Sequence, residues 1–222
     1  IDLRETRKTT SQDAQALWAR ATSALGTPAE AYLRRRGLAP EHILVDVRHM
    51  RSRDYHYAVF SITNDAGDIV AVQRVTLDET GAPITTDGRK RKVTTGPAGD
   101  GAFVALMGDG PLIVCEGPED ALSIAAACAA SDFKATVKAA LTTPRRLMRE
   151  DAIVFADRDA SIDSVMEAAR EAGARVCAPQ APHKDANDLW RAEGAAGVMT
   201  ALQGACEPAP LFPSWSIVDP AQ

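Results

Sequence analysis

The chain has 222 residues, 45% of them hydrophobic and 25% charged, with a net charge of −5. No apolar run reaches the roughly 18 residues of a helical membrane span, and the acidic balance argues against a protein that coats nucleic acid by bulk charge. The charge is uneven: residues 1–110 hold 15 Lys+Arg against 14 Asp+Glu, whereas residues 111–222 hold 10 against 16.

Cys115, Cys128, Cys177 and Cys206 are far apart and form no C-x-x-C pair. Buried, reduced thiols in a cytoplasmic protein are therefore expected, rather than a zinc ribbon or a disulfide framework. No basic-then-apolar leader precedes the first element, so no secretory signal is expected. A start at Ile1 rather than Met fits a fragment of a longer protein.

Residues 1–8 are polar and expected to fray. Ser11 can cap a helix carrying Ala14, Leu17, Trp18 and Ala21 at helical spacing. Thr27-Pro28 opens a second helix over residues 29–36, ended by Gly37, with Arg34, Arg35 and Arg36 at a solvated basic end. The period then changes to two. Residues 57–62 read as a strand, Asn64-Asp65-Ala66-Gly67 as a turn and residues 69–77 as its return. A second turn near Gly81 leads to the basic run Arg89-Lys90-Arg91-Lys92, and Gly96, Pro97, Gly99 and Gly101 form a loop.

After Gly110 the pattern is α/β. Apolar strands are predicted at residues 112–115, 135–139, 152–155 and 175–178, alternating with helices at 119–130, 162–172 and 188–203, and with a basic helix running through Arg149. Such alternation indicates a parallel sheet flanked by helices. The expected division is a small α+β N-terminal subdomain over residues 1–108, a catalytic domain over 109–206 and an irregular, proline-bearing tail over 207–222.

Two of these strands run directly into carboxylates, Glu116 and then Asp157 with Asp159. Ligands of open α/β sheets sit at the carboxyl ends of the strands, so these acids should converge there. A third acidic group, Asp185 and Asp188, follows the last strand. Repelling carboxylates gathered at strand ends are costly unless a cation neutralises them. Hard oxygen donors without His or Cys favour Mg²⁺ or Mn²⁺ over zinc. Glu119 and Asp120 begin a helix and read as stabilisers of its dipole.

The segments LIVCEGPED (112–120), IVFADRDA (153–160) and KDANDL (184–189) resemble, in order, the three signatures of the TOPRIM family of primases, topoisomerases and nucleases. Within it, the chain looks most like the DNA primases of phages and mobile genetic elements, which carry a small mixed subdomain before the TOPRIM part. The resemblance implies Glu116 as metal ligand or general acid/base, and Asp157 and Asp159 as metal ligands. It further implies Asp185 as a metal or metal-water contact, Asp188 as a last ligand or helix cap, and Lys184 on a nucleotide phosphate. The implied activity is synthesis of short RNA primers by metal-dependent nucleotidyl transfer. The implied partners are a single-stranded DNA template, nucleoside triphosphates and a replicative helicase, with no membrane.

Arg89, Lys90, Arg91 and Lys92 either bind template or nucleotide phosphates or guard a solvated hairpin edge. A TOPRIM nuclease would use the same metals to activate water, and a non-catalytic nucleotide- or partner-binding module is the third reading. A topoisomerase is disfavoured because no nucleophilic tyrosine domain is evident. His42, His49, His56 and His183 lack ligand spacing, Trp18 and Trp190 read as packing residues, and Arg158 should point away from its flanking aspartates.

Overall fold

The computed structural model describes residues 9–141, 144–159 and 162–205. The predicted frayed start, the tail over 207–222 and Cys206 lie outside the described residues.

Helix α1 (Ser11–Arg20) is capped by Thr10, whose side chain and backbone exchange hydrogen bonds with Asp13 in a capping box. A short strand β1 (Thr22–Ser23) follows, and then helix α2 (Pro28–Arg35), with Thr27 as cap and Pro28 at a position where no donor is needed. Strands β2 (Arg48–Arg51), β3 (His56–Thr63), β4 (Ile69–Leu77) and β7 (Lys92–Thr95) join β1 in an antiparallel sheet of order β1-β2-β3-β4-β7. A two-stranded ribbon, β5 (Thr85–Thr86) with β6 (Arg89–Lys90), leads into β7. One face of the sheet packs Val59 and Val72 against Ala14, Leu17 and Ala21 of the first helical segment. β1 and β2 carry no alternation of apolar residues to mark them as strands in the sequence.

The second sheet has the order β12-β11-β9-β10-β8. Strands β9 (Leu112–Cys115), β10 (Thr136–Ala139), β11 (Ile153–Phe155) and β12 (Arg175–Cys177) are parallel, as the alternation with helices predicted. Strand β8 (Phe103–Leu106), which precedes the expected boundary at 109, nevertheless hydrogen-bonds antiparallel to β10 and closes the sheet edge. Helices α3 (Pro118–Ala130) and α5 (Ala186–Gln203) pack on one face; α4 (Ile162–Ala172) covers the other through Val165, Ala168 and Ala169. Between β10 and β11 the predicted basic helix is only a 3-10 turn over Pro144–Leu147. Too few residues separate that turn from the start of β11 for an α-helix to propagate.

One core spans both halves. Phe60 of β3 meets Phe103 of β8 edge to face at 5.6 Å. Tyr32 and Leu33 of α2 belong to the same buried cluster as Leu122, Ile124 and Phe155. Cys115 and Cys128 are buried, reduced thiols, as expected, and Cys177 is buried as well. The four histidines have structural contacts: His49 and His56 hydrogen-bond at 2.9 Å, His183 meets Glu193 at 3.0 Å, and His42 packs edge-on against Trp190.

Candidate nucleotide and metal site

The carboxyl end of the second sheet opens on a cleft of about 830 Å³, whose opposite wall comes from the N-terminal half. Glu116 follows the last residue of β9, and Asp157 stands two residues beyond β11. These strands are neighbours in parallel register, Ile153 beside Ile113 and Val154 beside Val114, so both acids leave the sheet at the same edge. Asp159, Lys184, Asp185 and Asp188 line the same cleft.

Local chemistry fixes these segments. The backbone N–H of Arg158 donates to the carbonyl of Lys184 at 2.6 Å, tying the D-x-D turn to the K-D segment. Lys184 Nζ lies 3.8 Å from Asp159 Oδ2. Asp185 caps α5 by accepting from the N–H of Asp188 at 2.8 Å, while Asp188 has Arg191 at 3.9 Å. The helix therefore begins at Ala186, two residues before its predicted start.

Gly117 is required by a close approach. A Cβ there would stand 2.8 Å from Asp120 Oδ2, because the Asp120 side chain folds back over the start of α3. Asp120 Oδ1 in turn accepts from the backbone N–H of Asn187 at 3.1 Å, joining the first and third acidic segments.

Electrostatics agree with this crowding. Burial, followed by the charges of Glu116 and Asp185, pushes the Asp157 carboxyl up to about 7. Asp120 is raised well above the usual range by burial and then by Asp185 and Asp157. Both shifts reflect burial first and the neighbouring carboxylates second.

Glu119 and Asp120 correct the sequence reading. Rather than solvated helix-dipole residues, they are 2% and 7% exposed and face the cleft. Helix α3 is buried along nearly its whole length, so its first turn is carried inside with it. The Glu119 carboxylate accepts from the Tyr32 hydroxyl and has Lys90 Nζ at 3.3 Å and Lys92 Nζ at 3.6 Å. Burial alone would raise its pKa, but Lys92, Lys90 and Tyr32 outweigh that and hold it far below the ordinary carboxylate range.

The basic run divides. Arg89, Lys90 and Lys92 line the cleft, whereas Arg91 is exposed and turned away, its guanidinium 5.4 Å from the Tyr55 ring. Alternation along an extended chain sends Lys90 and Lys92 to one side and Arg91 to the other, while Arg89, beside the Gly88 turn, lines the cleft despite sharing the parity of Arg91. Among the three arginines closing α2, Arg34 and Arg35 are solvated as expected, but Arg36 is half-buried and reaches the cleft. Gln73 of β4 also lines it. Arg158 is exposed and does not line the cleft.

Residues 111–196 match the family described as a Toprim domain, and residues 8–105 match a domain of unknown function, DUF7146. Residues 111–196 thus form a Toprim domain. Among solved structures, the primase fragment of the bacteriophage T7 primase-helicase protein superposes with a TM-score of 0.57 at 19% identity, covering 76% of this chain and 72% of that one. The RNA polymerase domain of Mycobacterium tuberculosis primase DnaG gives 0.58 at 17% identity, covering 87% and 82%. The zinc-binding and RNA polymerase domains of Aquifex aeolicus primase give 0.60 at 15% identity, covering 83% of this chain and 57% of that one. The shared property is the fold: an N-terminal mixed unit joined to a Toprim sheet. A comparison with curated proteins gives no match.

Proposed function

We propose that this chain is the catalytic part of a DNA primase, synthesising short RNA primers on single-stranded DNA by nucleotidyl transfer. The supporting observation is the composition of the cleft: an acidic wall from the Toprim strand ends faces a cationic wall of Arg36, Arg89, Lys90 and Lys92 from the N-terminal half. An acidic wall alone would serve hydrolysis equally well. The cationic wall adds a place for the polyphosphate of a nucleotide or the backbone of a template.

The donor chemistry fits Mg²⁺ or Mn²⁺, since the acids lining the cleft are all carboxylates and the raised Asp157 marks charge that a dication relieves. Among the described residues, no three Asp, Glu, His or Cys side chains are gathered closely enough to share one ion. The arrangement thus suits an ion held by one or two carboxylates, with water and phosphate completing its shell. We propose that those one or two come from Glu116, Asp157, Asp159, Asp185 and Asp188. When bound, the metal supplies neutralisation of phosphate charge and a lower pKa for the attacking hydroxyl.

The chain's own residues position the reactants. Lys184 reaches toward Asp159 from the turn it shares with Arg158 and takes a phosphate oxygen. Glu116, directly after β9, holds the metal or accepts a proton from the attacking hydroxyl in this reading. Lys90 and Lys92 approach from the opposite wall to neutralise the leaving polyphosphate. The proposed setting is cytoplasmic, with a replicative helicase as a further partner, as in the T7 primase-helicase protein. No helix among the described residues is long and apolar enough to cross a membrane.

The test is a gel assay with single-stranded DNA, labelled ribonucleotides and Mg²⁺ or Mn²⁺, comparing the wild type with Asp157→Asn. New labelled oligonucleotides, absent with the variant, are the expected result. Metal-dependent shortening of the DNA without synthesis would replace this reading with a nuclease.

A further inference from the structure

The antiparallel sheet carries a second charged surface, on the side away from the cleft. Alternation places Arg48 and Met50 of β2, Tyr57 and Val59 of β3 and Arg74 of β4 on the face that α1 partly covers, opposite Gln73 and Lys92. Arg48, Val59, Arg74 and Val93 stand side by side across four strands. Arg91, two residues before Val93, emerges on the same face. Three of these arginines lie against aromatic rings: Arg48 at 4.3 Å from Trp18, Arg74 at 5.4 Å from Tyr57 and Arg91 at 5.4 Å from Tyr55. Met50, in register with Tyr57, joins this face to a groove of about 480 Å³ lined also by Arg20, Thr22, His49, Arg51 and Ser52. Among the described residues no Asp or Glu lines that groove.

Charge on this face is not balanced locally, in a chain whose net charge is −5. Arg48 has Asp46 at 2.7 Å. Arg20, Arg51, Arg74 and Arg91 make no ion pair among the described residues. Arg74 is moreover half-buried, and burial lowers its pKa, with Arg20 adding to the fall against the opposing effect of Tyr57. A cation drawn partly out of water beside a second cation is destabilising unless an anion answers it, and the fold supplies none there. Guanidinium groups match phosphate oxygens in pairs and also stack on rings and bases. A polyanion that carries stacking groups is a single-stranded nucleic acid; an acidic peptide would use the charges and leave the rings idle.

We propose that single-stranded DNA outside the copied stretch runs across this outer face. Its phosphates meet Arg20, Arg51, Arg74 and Arg91, and its bases stack on the ring–guanidinium pairs at Tyr55 and Tyr57. The choice of DNA rests on the primase reading, whereas the surface itself shares no residue with the cleft.

Fluorescence anisotropy of a labelled single-stranded oligonucleotide with the whole chain, at several salt concentrations, tests it. Wild type is compared with an Arg20→Gln, Arg91→Gln double variant and with Lys92→Ala. Each phosphate contact removed lowers the slope of log affinity against log salt by about 0.7 for a single strand. The double variant should therefore lose about 1.4 in slope and bind DNA several-fold more weakly. Both positions are exposed and outside the cleft, so its Tm should hold and its ATP affinity should stay within about twofold. An oligonucleotide carrying 5-iodouracil should photocrosslink to the peptide holding Tyr55 and Tyr57. A slope that survives in the arginine variant but falls with Lys92→Ala would put the strand in the cleft alone, overturning the outer path and keeping the primase reading. Crosslinks confined to cleft segments would have the same meaning. Displacement of the oligonucleotide by polyglutamate of equal charge would replace DNA with an acidic protein as the occupant. A wild type that binds no single-stranded DNA would overturn both readings.

Discussion

The Glu119 cluster makes a quantitative prediction about how the two halves of the cleft are joined. Its carboxylate receives Tyr32 from α2, Lys90 from β6 and Lys92 from β7, so a single acid on α3 ties the Toprim half to the N-terminal half. Breaking a buried ion pair by deleting one partner costs about 3–5 kcal/mol. The Lys90 and Lys92 side chains are 27% and 36% exposed and can turn to water, which places Glu119→Ala near the lower limit. The Tyr32 hydroxyl also loses its acceptor, at about 1 kcal/mol. The sum is about 3–4 kcal/mol, or a fall in Tm of about 6–16 °C at roughly 2–4 °C per kcal/mol for a chain of this size. Glu119→Gln keeps an acceptor for Tyr32 and removes only the charge, so about half that loss is expected. The sign of the pH dependence follows from the depressed carboxyl. Its contribution is complete above the unfolded value near 4.5 and is lost as pH falls toward the lower folded value. The Tm gap between wild type and Glu119→Gln should therefore be full at pH 7 and narrower at about pH 3.5. Thermal melts followed by circular dichroism measure both. A Glu119→Ala variant that melts within about 2 °C of wild type at pH 7 would refute the network as a tie between the halves.

Three further outcomes are expected. Asp157 carries a carboxyl raised to about 7, so between the unfolded value of 3.8 and about 7 the folded state holds a proton that the unfolded state has released. Metal-free protein should thus lose stability from pH 5 to pH 8, on the order of 1 kcal/mol after solvent screening; Asp157→Asn should flatten that slope, and an unchanged slope would assign it elsewhere. Gly117→Ala drives a Cβ to 2.8 Å from Asp120 Oδ2, and the backbone N–H of Asn187 holds that carboxylate in place. It should cost about 1–3 kcal/mol by chemical denaturation, as overpacking does, and lower primer synthesis. Lys92→Ala should raise the KM for nucleotide several-fold, while Arg91→Ala, on the far side, should leave it within about twofold, as for a surface substitution; the reverse order in steady-state kinetics would contradict the division of the basic run.

The parts of the site legible in the sequence share a physical cause. Glu116 and Asp157 each end an apolar run too short for a helix, Asp159 follows two residues later, and a parallel sheet delivers the carboxyl ends of its strands to one edge. Their convergence therefore followed from chain order. The apolar runs around Tyr57 and Ile69, separated by the Asn64-Asp65-Ala66-Gly67 turn, likewise announce the β3–β4 hairpin, whose strands are largely buried on both faces. Strand β8 was less legible: hydrogen bonding to β10 decides its sheet, and nothing in Phe103–Leu106 names that partner.

The remaining site residues escaped notice because their environment comes from elements remote in sequence. Arg36 reads like its solvated neighbours Arg34 and Arg35, and only the helical turn that places it beneath the cleft separates them. Gln73 sits in an ordinary strand pattern until its row is traced to the core face. Glu119 and Asp120 did carry a usable signal. The helix they begin carries, from Ala121 to Cys128, no polar residue but Ser123, and a helix without a polar face has no solvated side on which to place its first turn. Two acids forced inside must find cations, donors or a metal. Glu119 finds Lys90, Lys92 and Tyr32, while Asp120, with one backbone donor from Asn187, stays raised in pKa and faces the acids around Asp157. Adjacent in sequence, the two acids serve opposite walls of the cleft: one secures the lysines of the N-terminal wall, and the other deepens the negative field around Asp157.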